Sequence, residues 1–350
     1  MNEYKIIIWG LGSVGRSALQ IINARKSLTL VGAYDVNPAK IGKDAGIVCG
    51  FEEAGVTVTD DVEALLELDA DVVLYYPPTK WDEGVLPSHL AVQGNVDDIC
   101  MFLKTGKNVI TTLPVYYSEK NQPDYFKQID EAGKMGGATY VQQGIFPGLF
   151  TPYLPTVFGM LSRKIDSVIV YGGEDDSMNS APWVQIFGYG AHPEDIDQGR
   201  LAYIKGIIFT YYAHTCKEIA DRLGLDWDEF SCTSEVVLSD KEVTTPNAHV
   251  LPGTVGAHIF YMKCLKDGKE VSGYHFIHKA DGSILENLSL EKSIEIKGEP
   301  DVDVQIKGII DHFDPFLTSA APNVNLIPSL VAAEPGYKNA LDIPVGYLPK

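Results

Sequence analysis

Apolar runs alternate with amphipathic segments over the first 145 residues of the chain. Runs such as 5–9 and 28–34 are mainly apolar, as strands of a parallel sheet are. Between these two runs, Val14, Ala18 and Ile21 recur at helical spacing. Repeated strand–helix units of this kind predict an α/β fold with a doubly wound parallel sheet of the Rossmann type.

The pattern changes near Gly144, where strand-like runs begin to dominate. These runs cover residues 165–171, 230–238, 257–263, 270–277, 293–296 and 302–307. One long helical stripe over 201–223 interrupts them, which predicts an α+β domain with a mostly antiparallel sheet. A helical pattern over 325–333 is expected to return the tail to the first domain. The expected domains are 1–145 completed by 316–350, and 146–315.

The first strand runs directly into the glycine-rich turn Gly10-Leu11-Gly12-Ser13-Val14-Gly15. The second strand ends at Asp35, twenty positions after the last glycine. A G-x-G-x-x-G turn in this setting predicts a dinucleotide site. Gly10 permits the tight turn, Gly12 lets the backbone approach a pyrophosphate, and Gly15 lets the helix pack on the strand. A glycine turn without a ligand is the alternative, which the strand, helix and acid in register disfavour.

Asp35 indicates which dinucleotide binds. A carboxylate here accepts hydrogen bonds from the ribose hydroxyls of NAD and repels the 2′-phosphate of NADP. We therefore expect NAD(H) to be preferred. Lys40 and Lys43 follow closely enough to reach a phosphate, so NADP(H) remains the alternative cofactor.

Ligands of such sheets lie at the carboxyl ends of the parallel strands. We therefore assign to the cofactor site the residues that follow these strands, namely Tyr76, Pro77, Pro78, Thr79, Thr111 and Thr112. Phe146 and Pro147 are expected to form an apolar wall near the nicotinamide. Ordinary loop structure is the alternative for each of these residues.

The composition excludes several classes of partner. The formal net charge is −19 and no basic cluster occurs, so we expect no nucleic-acid partner. No apolar run approaches the roughly 20 residues of a membrane span. The five cysteines are scattered without zinc spacing, so no metal site is expected. Residues 1–5 lead straight into the first strand, which predicts a cytoplasmic protein.

A resemblance to a known group rests on runs from both domains, at 9–16, 31–34, 37–46, 69–75, 106–112, 144–148, 253–255 and 325–328. In these runs the chain resembles the dihydrodipicolinate-reductase-like oxidoreductases, within them the branch of 2,4-diaminopentanoate dehydrogenase and the native amine dehydrogenases. The resemblance implies a homodimer, with a cleft between the domains and a second domain for substrate and dimerisation. It also implies hydride transfer between a nicotinamide cofactor and a small amine, imine or ketone. We assign Asn325, in the C-terminal Asn-x-Ile-Pro run, to the cofactor site.

The chain departs from this group after residue 112. The amine dehydrogenases use a pocket carboxylate there to hold the amine, whereas this chain has no acid before Glu119. Three alternatives follow. Glu119 or a more distant acid substitutes, Tyr116 and Tyr117 serve as hydrogen-bond donors, or the substrate is not a simple amine.

Candidate proton-handling acids occur at the end of the first strand of the second domain. Glu174 and Asp175 follow two glycines there, where a carboxylate could pair with an ammonium. A solvated acidic turn is the alternative. Trp183 and His192 are candidates for the substrate pocket, with core packing as the alternative for Trp183. His275 and His278 lie three apart on a strand, hence on opposite faces, which argues against a joint metal site.

The sequence therefore predicts an NAD(P)H-dependent oxidoreductase acting on a C=N or C–NH2 bond. A reductase of a cyclic imine or a carbonyl is the alternative enzyme. A cofactor-sensing regulator is disfavoured, because no basic helix-turn-helix precedes the first strand.

Overall fold

The computed structural model describes residues 3–80, 92–179, 181–309, 314 and 316–346. Its contacts divide the chain into two compact units. The first unit contains the described residues up to Phe150 and from Gly308 onward, and the second contains Thr151–Lys307. The expected boundaries at 145 and 315 differ from this division by a few residues.

The first unit is built on a seven-stranded, fully parallel sheet. Its strands are β1 (Tyr4–Trp9), β2 (Leu28–Tyr34), β3 (Val58–Thr59), β4 (Val72–Tyr75), β5 (Asn108–Thr111), β6 (Thr139–Gln142) and β15 (Gly336–Lys338). They lie in the order β15-β6-β5-β4-β1-β2-β3. Its helices are α1 (Ser13–Asn23), α2 (Ala45–Val48), α3 (Val62–Glu67), α4 (Gln93–Lys104), α5 (Ser118–Asn121), α6 (Pro123–Gly136) and α11 (Leu317–Val331).

Alternate residues of β1 are buried on opposite faces of this sheet. Ile6 and Ile8 are fully buried in a core shared with α1 and α11. Ile7 and Trp9 pack in a second core with α4 and α6. Because helices cover both faces, every residue of β1 from Ile6 onward is apolar, and the predicted doubly wound sheet is confirmed.

The second unit is built on a six-stranded sheet in the order β14-β13-β7-β12-β11-β8. The strands of this sheet are β7 (Lys164–Asp175), β8 (Glu229–Leu238), β11 (Val255–Lys266), β12 (Lys269–Lys279), β13 (Lys292–Glu299) and β14 (Val302–Ile306). A separate two-stranded sheet consists of β9 (Val243–Thr244) and β10 (His249–Val250). Four of the five described strand pairs in the larger sheet are antiparallel, and β7 with β12 is parallel. The predicted α+β second domain is confirmed.

Helices of the second unit cover one face of its sheet. They are α7 (Tyr153–Gly159), α8 (Ala181–Phe187), α9 (Gln198–Ile208) and α10 (His214–Leu223). A π-helical turn, Phe209–Ala213, joins α9 to α10. The sequence predicted one continuous helix here, because a π turn shifts the hydrophobic stripe too little to break its periodicity. Short 3-10 turns cover Asp176–Met178, Pro193–Asp195 and Ala340–Asp342.

The C-terminal segment adds two elements to the first unit. Helix α11 packs on α1, and it begins at Leu317, several residues before the predicted 325. Strand β15 extends the sheet beside β6. The sequence did not predict β15, because a strand of three residues that begins at the glycine of a Pro-Gly pair carries no alternation pattern.

Candidate active site

The glycine turn is packed too closely for side chains at two of its positions. Gly10 has φ +98°, and a Cβ there would lie 2.5 Å from the carbonyl oxygen of Tyr76. A Cβ on Gly15 would lie 2.1 Å from the carbonyl oxygen of Gly10. A Cβ on Gly12 would have no described atom within 4 Å. The turn is therefore tightly packed at Gly10 and Gly15 and open at Gly12, as a site for a pyrophosphate requires.

Helix α1 begins in this turn without a side-chain cap. Gly12 is the N-cap residue, and the first helical residues are Ser13 and Val14. Leu11, next to this helix start, is buried and donates its N–H to Asp35 over 3.1 Å. An uncapped helix N-terminus with a glycine approach is a favourable place for an anion.

Asp35 is 8% exposed and bonded on both carboxylate oxygens. Oδ1 accepts from the N–H of Asn37 at 2.9 Å, and Oδ2 accepts from Lys40 Nζ at 2.7 Å as well as from Leu11. Lys40 Nζ also donates to the carbonyl oxygen of Leu11 at 2.9 Å. Desolvation opposes ionisation of Asp35, but the bonds from Lys40 and the backbone outweigh it and lower the pKa of this carboxyl. A cation therefore lies directly beside the predicted ribose-binding acid.

The carboxyl ends of β4 and β5 are held together by Thr111, whose hydroxyl donates to the carbonyl oxygen of Tyr75 at 2.7 Å and accepts from Leu113 N–H at 3.0 Å. Thr112 is partly exposed beside Gly144. Of the predicted loop residues after β4, Tyr76, Pro77 and Thr79 are partly buried and Pro78 is exposed. These positions agree with a cofactor-facing loop, and their contact with a ligand stays a prediction.

Helix α11 contributes amide groups to this unit. Asn323 is fully buried and donates from Nδ2 to the Tyr76 hydroxyl at 3.1 Å. The Oδ1 atoms of Asn323 and Asn325 are buried and have no hydrogen-bond partner among the described residues. Buried unbonded acceptors cost roughly 1–3 kcal/mol each, so they indicate a missing donor. The sequence predicted Asn325 and missed Asn323, because its role depends on reaching Tyr76 from 247 positions away.

The segment after β5 contains the acid that the sequence left in question. Tyr116 and Tyr117 are both 4% exposed, and Tyr117 has a left-handed backbone with φ 50°. Glu119 Oε1 accepts from Asn339 Nδ2 at 2.6 Å, and its Oε2 is buried without a partner among the described residues. One oxygen of Glu119 thus ties the C-terminal segment to α5.

A polar cluster occupies the carboxyl ends of β7 and β12 in the second unit. The parallel register pairs Glu174 with His278. Asp176, just beyond β7, accepts from His278 Nδ1 at 3.1 Å, from the Tyr189 hydroxyl at 2.6 Å and from Asn179 Nδ2 at 3.1 Å. One ligand atom each from Glu174, Asp176 and His278 lie within 4.8 Å of one another.

Aromatic rings surround His278. Phe187 stacks on it with ring centroids 4.6 Å apart, and Phe276 meets it edge-on at 4.8 Å. Trp183 lies 5.9 Å away, and Tyr212 reaches it from the π-helical turn at 6.3 Å. The imidazole is 0% exposed. Its Nε2 and the Trp183 Nε1 have no hydrogen-bond partner among the described residues.

The surroundings of Glu174 raise the pKa of its carboxyl above the ordinary value. Desolvation raises the pKa of Glu174, and the nearby charge of Asp176 raises it further against the opposing effects of His278 and Lys292. Lys292 donates to the carbonyl oxygen of Gly173 at 2.7 Å, and burial lowers the pKa of this lysine. A carboxyl with a raised pKa beside a histidine is the usual arrangement of acid–base chemistry near neutral pH.

The other predicted residues of the second unit lie outside this cluster or at its edge. Asp175 is exposed and caps the following turn, accepting from Ser177 N–H at 2.9 Å. His192 is exposed at the start of a 3-10 turn. Trp183 is one of the aromatic rings around His278. Phe146 and Pro147, the residues predicted to form an apolar wall near the nicotinamide, belong to the first unit. The hydrogen bonds that Asp176 accepts from Tyr189 and His278 were not predicted, because His278 comes from the neighbouring strand and Tyr189 from the segment after α8.

Glu174, Asp176 and His278 are residue types that also bind metals. Here the described hydrogen bonds already occupy both oxygens of Asp176 and Nδ1 of His278. The arrangement is that of a hydrogen-bonded carboxylate–imidazole pair, which suits proton transfer. His275, as its spacing predicted, lies on the opposite sheet face against Tyr171.

Comparisons with known proteins agree with this architecture. The 2,4-diaminopentanoate dehydrogenase C-terminal domain matches residues 162–348, more than half of the chain. The chain belongs to the 2,4-diaminopentanoate dehydrogenase family. The N-terminal domain of dihydrodipicolinate reductase matches residues 4–78. The resemblance identified from the sequence is confirmed.

Relatives of this family align over nearly the whole chain. An amine dehydrogenase from Streptomyces virginiae is 26% identical over 97% of this chain and 96% of its own length. A 2,4-diaminopentanoate dehydrogenase from Acetoanaerobium sticklandii is 22% identical over 99% of this chain and 94% of its own. The solved amine dehydrogenase of Mycobacterium smegmatis has the same fold, with TM-score 0.75, 17% identity, and coverage of 100% and 98%.

Within the described residues, no helix is both long and apolar enough to span a membrane.

The contrast between Gly12 and Gly15 yields a test of the glycine turn. Gly12→Ala should leave the melting temperature within about 2 °C, because its Cβ enters open space, yet weaken NADH binding about tenfold or more. Gly15→Ala should lower stability by about 1–3 kcal/mol, because its Cβ meets the Gly10 carbonyl. Thermal melts and fluorescence titration with NADH measure both effects. Unchanged NADH affinity in Gly12→Ala would remove the turn from the cofactor site.

Proposed function

We propose that the protein interconverts a small primary amine with its imine, and through the imine with a ketone or aldehyde plus ammonia, using NAD(H) or NADP(H). The predicted enzyme class, an NAD(P)-dependent oxidoreductase acting on CH–NH2 or C=N groups, is confirmed by the two full-length relatives. The observation in the structure that carries the proposal is the cluster of Glu174, Asp176 and His278, in which Asp176 and His278 are buried and Glu174 is partly exposed. It offers negative charge for an ammonium and acceptors for its proton.

The residues of the first unit fit a nicotinamide dinucleotide. The glycine turn and the start of α1 would hold the pyrophosphate, and Asp35 would accept from the adenosine ribose. The unbonded Oδ1 atoms of Asn323 and Asn325 are acceptors of the kind that amide and hydroxyl groups of such a cofactor satisfy. When bound, the nicotinamide donates or accepts the hydride.

Glu174 is the group that we assign to the amine. It is only partly buried, unlike Asp176 and His278, so it is the member of the cluster open to a ligand. This carboxylate would accept a charge-assisted hydrogen bond from a substrate ammonium, and the nearby aromatic rings would attract the same cation. Glu119 is the weaker candidate, because one of its oxygens is already bound by Asn339.

The second unit also presents a surface suited to a homodimer. On the sheet face opposite His278, Ile169, Tyr171, Tyr261 and Ile277 are all partly exposed. His275 lies between the two tyrosines, with ring centroids 5.2 Å from each. Glu270 meets His275 at 2.7 Å and Lys263 at 3.5 Å on the same face, so the face is an aromatic patch with charged groups around it, as many protein contacts are. We infer that two copies of the chain pair through it.

The amine assignment is tested by the requirement for ammonia. A panel of ketones, amines and hydroxy acids is followed by NADH and NADPH absorbance. Ketones should be reduced only when ammonium is present, and amines should be oxidised without it, because the imine is the species that takes the hydride. Ketone reduction without ammonium would contradict the assignment and favour a carbonyl reductase.

A matched pair of variants serves as the control for the same assay. Glu174→Gln keeps the size of the side chain but cannot take a proton, so kcat should fall about a hundredfold. Glu119→Gln makes the same change at the other candidate acid and should alter kcat less than threefold. The reverse ranking would transfer the role to Glu119.

Cofactor preference should depend on the Asp35–Lys40 pair. Asp35→Ser removes ribose acceptors and frees Lys40, so KM for NADH should rise and KM for NADPH should fall, each roughly tenfold. Lys40→Met should impair only NADPH, because it removes the cation that could meet a 2′-phosphate. Lys43, which is exposed, provides the control variant Lys43→Met. Unchanged NADH kinetics in Asp35→Ser would exclude Asp35 from the ribose.

The dimer is tested by sedimentation equilibrium. The wild type should have twice the 38.3 kDa mass of one chain. Tyr261→Arg places a charge on the open sheet face and should give monomers. Met135→Arg makes a comparable change at a residue that is 73% exposed in the first unit, and it should remain dimeric. A monomeric wild type, or a dimeric Tyr261→Arg, would contradict this surface.

A further inference from the structure

His278 has a ring nitrogen that the fold leaves unused. Asp176 accepts from its Nδ1, so in the neutral ring Nδ1 bears the hydrogen and Nε2 bears the lone pair. Nε2 is buried and has no partner among the described residues. A buried polar atom without a partner costs roughly 1–3 kcal/mol, so its retention calls for a role.

The neighbouring histidine shows that the fold can satisfy such a ring. His258 lies directly opposite His278 across β11 and β12. Its Nε2 bonds the carbonyl oxygen of Phe187 at 2.8 Å, and burial lowers its pKa to about 4. His258 is therefore a neutral structural residue. His278, equally buried in the same sheet, differs by having a carboxylate partner and a free nitrogen.

Several titratable groups surround the imidazole of His278. Glu174 and Asp176 face it from the end of β7. Tyr189 and Asn179 donate to Asp176 and fix its orientation. The other titratable or charged groups of the surrounding elements include Tyr212, Tyr211, Tyr274, His258, Lys279, Lys292 and Arg200.

We propose that Asp176 and His278 form a proton store behind Glu174, with His278 Nε2 as the atom that holds the proton released by the substrate amine. The proposal rests on the amine chemistry proposed above. Glu174 is the residue that meets the substrate, and Asp176 is a positioning residue that fixes the tautomer of His278. The ligand atoms of the three residues lie within 4.8 Å of one another. Over such a distance, one side-chain rotation or one bridging water is enough to connect two of them by hydrogen bonds.

The step balances in protons and charge. In amine oxidation, an N–H bond of the substrate ammonium breaks and an O–H bond forms on Glu174. That O–H bond then breaks as an Nε2–H bond forms on His278, which leaves Glu174 as a carboxylate and His278 as an imidazolium beside Asp176. The freed nitrogen lone pair would form the C=N bond, and a bound oxidised nicotinamide would supply the acceptor for the hydride that leaves the carbon. After the imine is hydrolysed, this one net proton leaves to solvent.

The test is the pH profile of kcat for amine oxidation in matched variants. His278→Asn retains an amide that can donate to Asp176 but cannot store a proton. Its kcat should fall about tenfold or more at pH 7 and come within about threefold of the wild type at pH 10, where hydroxide takes the proton. His258→Gln, which retains a donor to Phe187, should keep the wild-type profile. Asp176→Asn should change the profile in the same way as His278→Asn, with a loss of kcat at pH 7 that becomes smaller at pH 10.

Three results of activity assays would overturn the proposal. A wild-type profile in His278→Asn would show that the ring stores no proton, and an equal loss at every pH would show a packing role only. Loss of wild-type activity in EDTA with recovery in Zn²⁺ would identify a metal site instead. If the wild type itself oxidises no amine, the proposed function fails, whereas a working wild type with an unaffected variant rejects only the proton store.

A second measurement needs no substrate. Long-range proton–nitrogen NMR of the ¹⁵N-histidine-labelled protein reports the tautomer of each ring, and His278→Asn assigns the signals. At neutral pH the neutral form of His278 should carry hydrogen on Nδ1. A neutral ring with hydrogen on Nε2 would overturn the proposal, because that nitrogen would then have no lone pair to offer.

Discussion

The parallel pairing of β7 with β12 is the constraint on which the candidate active site depends. The other described pairs of that sheet are antiparallel, so this pair alone among them brings two carboxyl ends to one edge. Glu174 and Asp176 arrive from one strand and His278 from the other, although the bonded residues are 102 positions apart. A shift of register by one residue would turn His278 to the opposite face.

Burial gives this pairing its chemical consequence. Phe187, Phe276 and Trp183 exclude water from the ring of His278, and desolvation raises the pKa of Glu174. In such surroundings hydrogen bonds are stronger and unpaired groups are costlier than in water. The same aromatic rings that stabilise the domain therefore give the carboxyl and the imidazole the surroundings on which the proposed proton transfer depends. The π-helical turn takes part, because it carries Tyr212 to these rings.

The two halves of the molecule were predictable to different degrees. The glycine turn and Asp35 were found from the sequence, because cofactor recognition of this kind uses short local spacing. The strands of the second domain were found from their apolar runs. The roles of Asp176, Tyr189 and Asn323 were not predicted, because each depends on a hydrogen bond to a residue in another element of the fold. Asp175 carried the same local pattern as Glu174, but the strand end turns it outward, where it caps a turn.

The sequence by itself determined the class of fold, the cofactor turn and the family, since periodicity and local motifs survive in a linear chain. It also raised the question of the acid that is absent after residue 112. Only the tertiary structure decided which side chains share a buried site, because strand register and burial determine which polar groups meet and which lose water. Asp35 illustrates the division. Its position in the chain predicts ribose binding, whereas its ion pair with Lys40 appears only when the loop is folded.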